Sequence, residues 1–186
     1  MVTFRRLLVF LCLISVSFAQ HLPRKAADIP IRTTDNKTIH ISQYRNKVVV
    51  IVMMLTSCND CLATLQFFSK MQTEWGPRGL QIVAISLDES AVNAALMQQR
   101  YRFPFPIAHL EKDGAIKLAD LNATARPVVP YVMFVDWMGN VRFQYPADAP
   151  IFQSPEKNLR GIAEGLLRQA ANKEGPHYET RPAGKQ

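Results

Sequence analysis

Cysteine is scarce in this sequence, with three residues among 186. That excludes a disulfide-dense miniprotein, which relies on several bridges to staple a small core. Glycine is sparse too, at eight residues, and the chain shows neither a collagen-like period nor an internal repeat. Acid is the minority charge: 15 Asp and Glu stand against 22 Lys and Arg, for a net +7. The basic excess is scattered, and its densest spots, Arg24-Lys25 and Arg45-Asn46-Lys47, do not interleave with aromatic residues. Nucleic-acid binding is therefore not expected, and the charge reads as a solvated basic surface suited to acidic partners. Long apolar runs are missing as well. Residues 7–18 form the run nearest to a span, short of the ~20 helical residues a bilayer requires. The four histidines, His21, His40, His109 and His177, stand singly and never at i+3 or i+4 spacing, so no second half of a zinc site accompanies the cysteines.

What is present is an ordinary globular composition, 48% apolar and 20% charged. Residues 1–19 read as a signal peptide: Arg5 and Arg6, a short apolar stretch, then Ser17-Phe18-Ala19 as a small-x-small cleavage pattern. Cys12 goes with that leader. The mature protein is expected to be exported, periplasmic or secreted, without a transmembrane span, and membrane-tethered only if the leader is retained. Residues 20–172 make one domain, at the usual ~150 residues per domain. Residues 173–186 read as a disordered tail, and a monomer is expected.

Residues 29–31 and 38–41 suggest a hairpin around Asp35-Asn36-Lys37. Residues 48–55 are eight consecutive apolar residues rich in β-branched types, which suits a strand buried on both faces. Leu62, Leu65, Phe68, Met71 and Trp75 then repeat at helical spacing until Gly76-Pro77. A second buried strand is expected over 80–87, and a helix over 90–101 with Val92, Ala95 and Leu96 inward. Phe103-Pro104-Phe105-Pro106 reads as a rigid turn, with a short helix over 115–121. Strands over 132–135 and 141–145 flank a turn at Met138-Gly139-Asn140. A final helix opens at Ser154-Pro155, with Leu159, Ile162, Ala163, Leu166, Leu167 and Ala170 as its apolar stripe. Met53, Met54 and Met133 read as core, and Trp75 and Trp137 as packing at element ends. Asp88 reads as the cap of the helix behind it, and its place at a strand's carboxyl end also allows a role near the site. The order implies an α/β sandwich with a mixed sheet.

The mature cysteines, Cys58 and Cys61, form a single C-x-x-C where the first buried strand hands over to its helix. As a staple, the pair closes almost no loop and contributes little. As a metal site it is half a ligand set, and exported copper handling is the form that reading takes. As a redox pair, Cys58 sits at a helix N-terminus whose amides and dipole favour the thiolate. Cys61, one turn on, is placed to resolve a mixed disulfide.

Residues 28–145 resemble the thioredoxin superfamily, especially its exported thioredoxin-like branch and the related alkyl hydroperoxide reductase/thiol-specific antioxidant (AhpC/TSA) domains. The resemblance rests on Lys47-Val48-Val49-Val50, on Leu55-Thr56-Ser57-Cys58-Asn59-Asp60-Cys61, on residues 80–88, and on Val129-Pro130-Tyr131-Val132-Met133-Phe134-Val135-Asp136 with Gly139. It implies a three-layer thioredoxin-like sandwich with an N-terminal hairpin extension, and an oxidoreductase using the Cys58/Cys61 dithiol. It also implies a cis Val129-Pro130 bond beside the cysteines, with the Val129 backbone docking substrate and Pro130 keeping metals off the pair. The implied partners are protein thiols and disulfides plus an upstream electron donor or acceptor, with no organic cofactor and no resident metal. The chain departs from the family in Ser57 where tryptophan is usual, in Asn59-Asp60 between the cysteines, and in Thr64 where exported reductases often carry glutamate. Asp60 should oppose the thiolate and partly offset the dipole. A thiol peroxidase is the alternative reading, yet Leu55 stands where that chemistry wants threonine, and Arg126 reads as a loop residue. A copper-delivery protein is a further alternative, but it wants C-x-x-x-C and a downstream histidine.

Overall fold

The computed structural model describes residues 22–172; the leader expected over 1–19 and the tail expected over 173–186 lie outside the described residues. In chain order the strands are β1 (Arg24–Lys25), β2 (Ile31–Thr33), β3 (Thr38–Ile39), β4 (Val48–Met54), β5 (Leu80–Ser86), β6 (Ile107–His109), β7 (Tyr131–Val135) and β8 (Asn140–Tyr145). The α-helices are α1 (Asn59–Trp75), α2 (Ala91–Tyr101), α3 (Lys112–Ala119) and α4 (Pro155–Asn172). One mixed sheet runs β1-β8-β7-β4-β5-β6-β2-β3, with helices on both faces, which is the expected thioredoxin-like sandwich.

The centre of the sheet follows from composition. The seven residues of β4 include five β-branched side chains, all of them buried, so the strand has no polar face to offer water. It pairs in parallel with β5, from Val48↔Leu80 to Met54↔Ser86, and antiparallel with β7 through Ile51↔Met133. Alternation then sorts its side chains. Val50, Val52 and Phe134 face Leu65 and Phe68 of α1, Met97 of α2 and Leu166 of α4. Val49, Ile51 and Met133 face Leu118 of α3 and the N-terminal Ile31 and Ile41. Each fully buried aliphatic or aromatic side chain contributes ~1.5–3 kcal/mol relative to exposure.

Several expectations need correction. Val92 and Leu96 do not face inward; they are 62% and 57% exposed, whereas Ala94 and Met97 are buried. The helix carries two apolar stripes, and its start at Ser90, whose hydroxyl accepts from the Val92 N–H, fixes the phase that buries the second. Ser90 is thus the cap expected of Asp88. The N-terminal hairpin is where expected, pairing Ile31 with Ile39, and through Arg32↔His109 it extends the sheet at its edge. Strand β6 arises directly after the Phe-Pro-Phe-Pro turn. The short helix runs three residues earlier than expected at its start, and Asp120 ends it in the left-handed region at φ 54°. Alternation in β8 breaks where Phe134↔Phe143 is followed by Val135↔Val141. That bulge leaves Gln144 buried, its amide donating to the Ala119 carbonyl at 3.1 Å.

Candidate active site

Strand β4 ends at Met54, and Leu55 at 36% exposure begins the turn that carries the chain to α1. Cys58 is the N-cap of that helix, in extended conformation (φ −88°, ψ 114°). Its Sγ accepts from the Cys61 N–H at 3.1 Å, so the sulfur occupies the place a serine or aspartate oxygen takes at other N-caps. Cys61, one turn along, bonds to it as a disulfide with Cα atoms 5.2 Å apart. The two sulfurs are unequal in access: Cys61 is fully buried at 0% exposure, and Cys58 is half-buried. Asn59 and Asp60 between them are exposed.

The Val129–Pro130 peptide bond is cis, the geometry the resemblance implied. Val129 and Cys58 pack against the same side of the core. The backbone of Val129 lies just beyond the last ladder pair of β7 with β4, Met53↔Tyr131. Two clefts meet at this dipeptide. One, about 360 Å³, is lined by Asp60, Thr64, Phe67, Pro130, Phe152 and Glu156, among others. The other, about 280 Å³, is lined by Leu55, Leu87, Lys112, Arg126 and Val129, among others. Arg126 is therefore a loop residue, as expected, and it lines the same cleft as Val129.

A polar cluster holds the turn before Cys58. The Asp88 carboxylate accepts from the Thr56 N–H at 3.0 Å and from the Thr56 hydroxyl at 3.0 Å. It also accepts from the buried Ser86 hydroxyl at 2.5 Å. His109 Nε2 lies 2.8 Å from the Asp88 carbonyl; a carbonyl can only accept, so Nε2 carries the proton. Asp88 thus ties the carboxyl ends of β5 and β6 to the reactive turn instead of capping α2. In the sequence Asp88 stands out at a strand's end, but Thr56 and Ser86 do not stand out as its partners. The usable signal was Ser86-x-Asp88, a spacing that puts both side chains on one side of a strand's end.

The AhpC/TSA family profile matches residues 22–144, from the N-terminal edge of the sheet into β8 and across both cysteines. The chain belongs to the AhpC/TSA family. Relatives include the thiol-disulfide oxidoreductase ResA of Oceanobacillus iheyensis, 29% identical over 83 residues, covering 45% of this chain and 43% of that one. The ResA of Geobacillus thermodenitrificans is 22% identical over 117 residues, covering 63% and 64%. The chain therefore spans about half the length of the curated relatives it matches. Among solved structures, a thiol:disulfide interchange protein of the thioredoxin family from Chlorobium tepidum superposes with a TM-score of 0.67 at 18% identity, covering 80% of this chain and 99% of that one. The thioredoxin domain of a thiol-disulfide oxidoreductase from Bacteroides vulgatus superposes at 0.62 with 14% identity, covering 78% and 96%.

Within this AhpC/TSA site, Thr64 is buried and its hydroxyl donates to the Asp60 carbonyl at 2.8 Å, so it spends its polar group on its own helix. Among the described residues, no three of His, Cys, Asp or Glu converge as a metal-binding group. None of the helices there is long and apolar enough to cross a membrane.

Proposed function

We propose that this AhpC/TSA protein is an exported thiol-disulfide oxidoreductase acting on protein thiols and disulfides through Cys58 and Cys61. The observation that carries the reading is the unequal access of two sulfurs at a helix N-terminus: Cys61 is buried and Cys58 is half-buried. Only Cys58 can meet a macromolecular partner, and the helix dipole with the Cys61 amide favours its thiolate. In the reducing direction the Cys58 thiolate attacks a substrate disulfide. The substrate S–S bond breaks, one substrate thiolate leaves, and a Cys58–substrate disulfide forms. The Cys61 thiolate then attacks Cys58 Sγ, releases the second substrate thiolate and leaves the Cys58–Cys61 disulfide. Two electrons pass to the substrate, and a separate dithiol partner restores the pair. The same steps run backward when the partner is the stronger reductant. Val129 and Pro130 form the edge on which an extended substrate segment docks. Export rests on the leader-like residues 1–19.

Alanine at Cys61 tests the mechanism. With the resolving thiol gone, mixed disulfides through Cys58 should accumulate and resolve on non-reducing gels, while a Cys58→Ala protein should trap none. Absence of covalent partners from the Cys61→Ala protein under oxidising conditions overturns the proposal. A redox titration should return a reversible two-electron couple between about −270 and about −120 mV. Peroxide consumption without a disulfide substrate would instead favour the peroxidase that family membership also accommodates.

A further inference from the structure

The two clefts that meet at Val129–Pro130 carry charges of opposite sign. Among the described residues, Asp60 and Glu156 line the Pro130 side and no basic residue does. Lys112 and Arg126 line the Val129 side, where no described acidic residue lies. All four are exposed. Their chain neighbours of opposite charge, Lys157 beside Glu156 and Glu111 and Asp113 beside Lys112, do not line either cleft. In a chain of net +7, an acid-only wall facing a base-only wall across one dipeptide is a segregated pattern. Each wall has an apolar floor, Phe67 and Phe152 on one side and Leu55 and Leu87 on the other. Such a floor takes the methylene stem of a long side chain while its charged head meets the rim.

We propose that the Val129–Pro130 edge reads charge on both sides of the substrate cysteine, favouring an extended polypeptide with a basic residue on the Asp60/Glu156 side and an acidic residue on the Lys112/Arg126 side. This deepens the oxidoreductase reading and rests on it. Backbone pairing with Val129 fixes the direction of an extended segment, so the protein distinguishes the two possible orders of the flanking charges.

The test uses three seven-residue peptides, each with one cysteine held as a mixed disulfide with 2-mercaptoethanol. Two have the same composition, with paired lysines before and paired glutamates after the cysteine, or the reverse; the third has alanine at all flanking positions. The pre-reduced full chain donates two electrons from Cys58 and Cys61, releasing peptide thiol and mercaptoethanol as the Cys58–Cys61 disulfide forms. An exposed charge pair contributes a factor of about 1.4 to 5, so the two orders should differ in kcat/KM by about threefold to tenfold at low salt. The preference should shrink at high salt, where the screening length falls to about 3 Å at 1 M. In the Arg126→Glu/Glu156→Lys protein, which leaves the dithiol's neighbour Asp60 in place, the preferred order should weaken or invert. Equal rates for both orders with wild type, while the alanine peptide is reduced, would overturn this inference and leave the oxidoreductase reading standing. A preference that persists undiminished at high salt would also overturn it. Failure to reduce any of the three peptides would remove the oxidoreductase reading and this one with it.

Discussion

Replacing Asp88 by alanine should loosen the turn that presents Cys58. The carboxylate accepts three hydrogen bonds: from the Thr56 amide, from the Thr56 hydroxyl and from the Ser86 hydroxyl. Bonds to a charged acceptor are worth ~1.5–3 kcal/mol each, but a donor that water can reach after the change recovers most of that. Thr56 is half-buried and recovers; Ser86 is fully buried at 0% exposure and does not. The expected loss is therefore ~2–4 kcal/mol, dominated by the Ser86 hydroxyl proton, which loses its acceptor while the oxygen keeps the residue 88 N–H at 3.2 Å. At ~2–4 °C per kcal/mol for a chain of this size, the melting temperature should fall by roughly 5–15 °C. Asp88→Asn keeps an oxygen for Thr56 and should lose about half as much. Thermal melts by circular dichroism, on oxidised and reduced protein, read this directly. A second readout separates tethering from mere stability: the pH profile for iodoacetamide alkylation of Cys58 in the reduced protein. Losing the carboxylate removes a charge that opposes the thiolate, whereas losing the tether holds the sulfur less firmly at the helix N-terminus, so the Asp88→Ala profile should lie at higher pH than that of Asp88→Asn, which loses the charge but keeps an acceptor for Thr56. Melting within about 1 °C of wild type, together with superimposable alkylation profiles for the two variants, would refute the reasoning.

Phe68→Ala should create a cavity between α1 and the sheet, since Phe68 is fully buried; a loss of ~3–5 kcal/mol in urea unfolding is expected. Burial pushes the Tyr131 phenol up to about 12, with the Arg24 charge pulling weakly the other way. Because the unfolded tyrosine ionises near its ordinary 10.0, Tyr131 contributes stability that is full below that pH and is lost as pH rises toward 12. Absorbance titration of the five tyrosines should show a component near 12 that Tyr131→Phe removes.

The centre of this fold is readable from residues because burial on both faces demands an uninterrupted apolar strand, and β4 is such a run. The same holds for α4, where Leu159, Ala163, Leu166 and Leu167 are buried at helical spacing. The edges are not readable that way. Strand β1 is Arg24–Lys25, held by backbone pairing with β8, and two polar residues carry no hydrophobic period. Strand β6 is three residues long and follows two prolines, which read as turn. The phase of α2 was ambiguous because Val92 and Leu96 satisfy one stripe while Ala94 and Met97 satisfy another. At the site, the C-x-x-C and Val129-Pro130 stood out as chain-local motifs. The Asp88–Thr56 tether spans 32 residues, and the two clefts gather side chains from separate elements, so both exist only once the chain has folded.

The first described strand has a consequence for the order of events during synthesis. Arg24 sits on β1 and bonds to Gln144, a residue made 120 positions later. At about 5–20 residues per second, that partner arrives on the order of 6–24 s after Arg24 leaves the ribosome. Strands β4 and β5 can meet long before, but β7 and β8 come late, and β1 can only close the edge behind them. The earliest part of the domain to be made is thus among the last to find its place. Throughout that interval β1 has no strand to pair with.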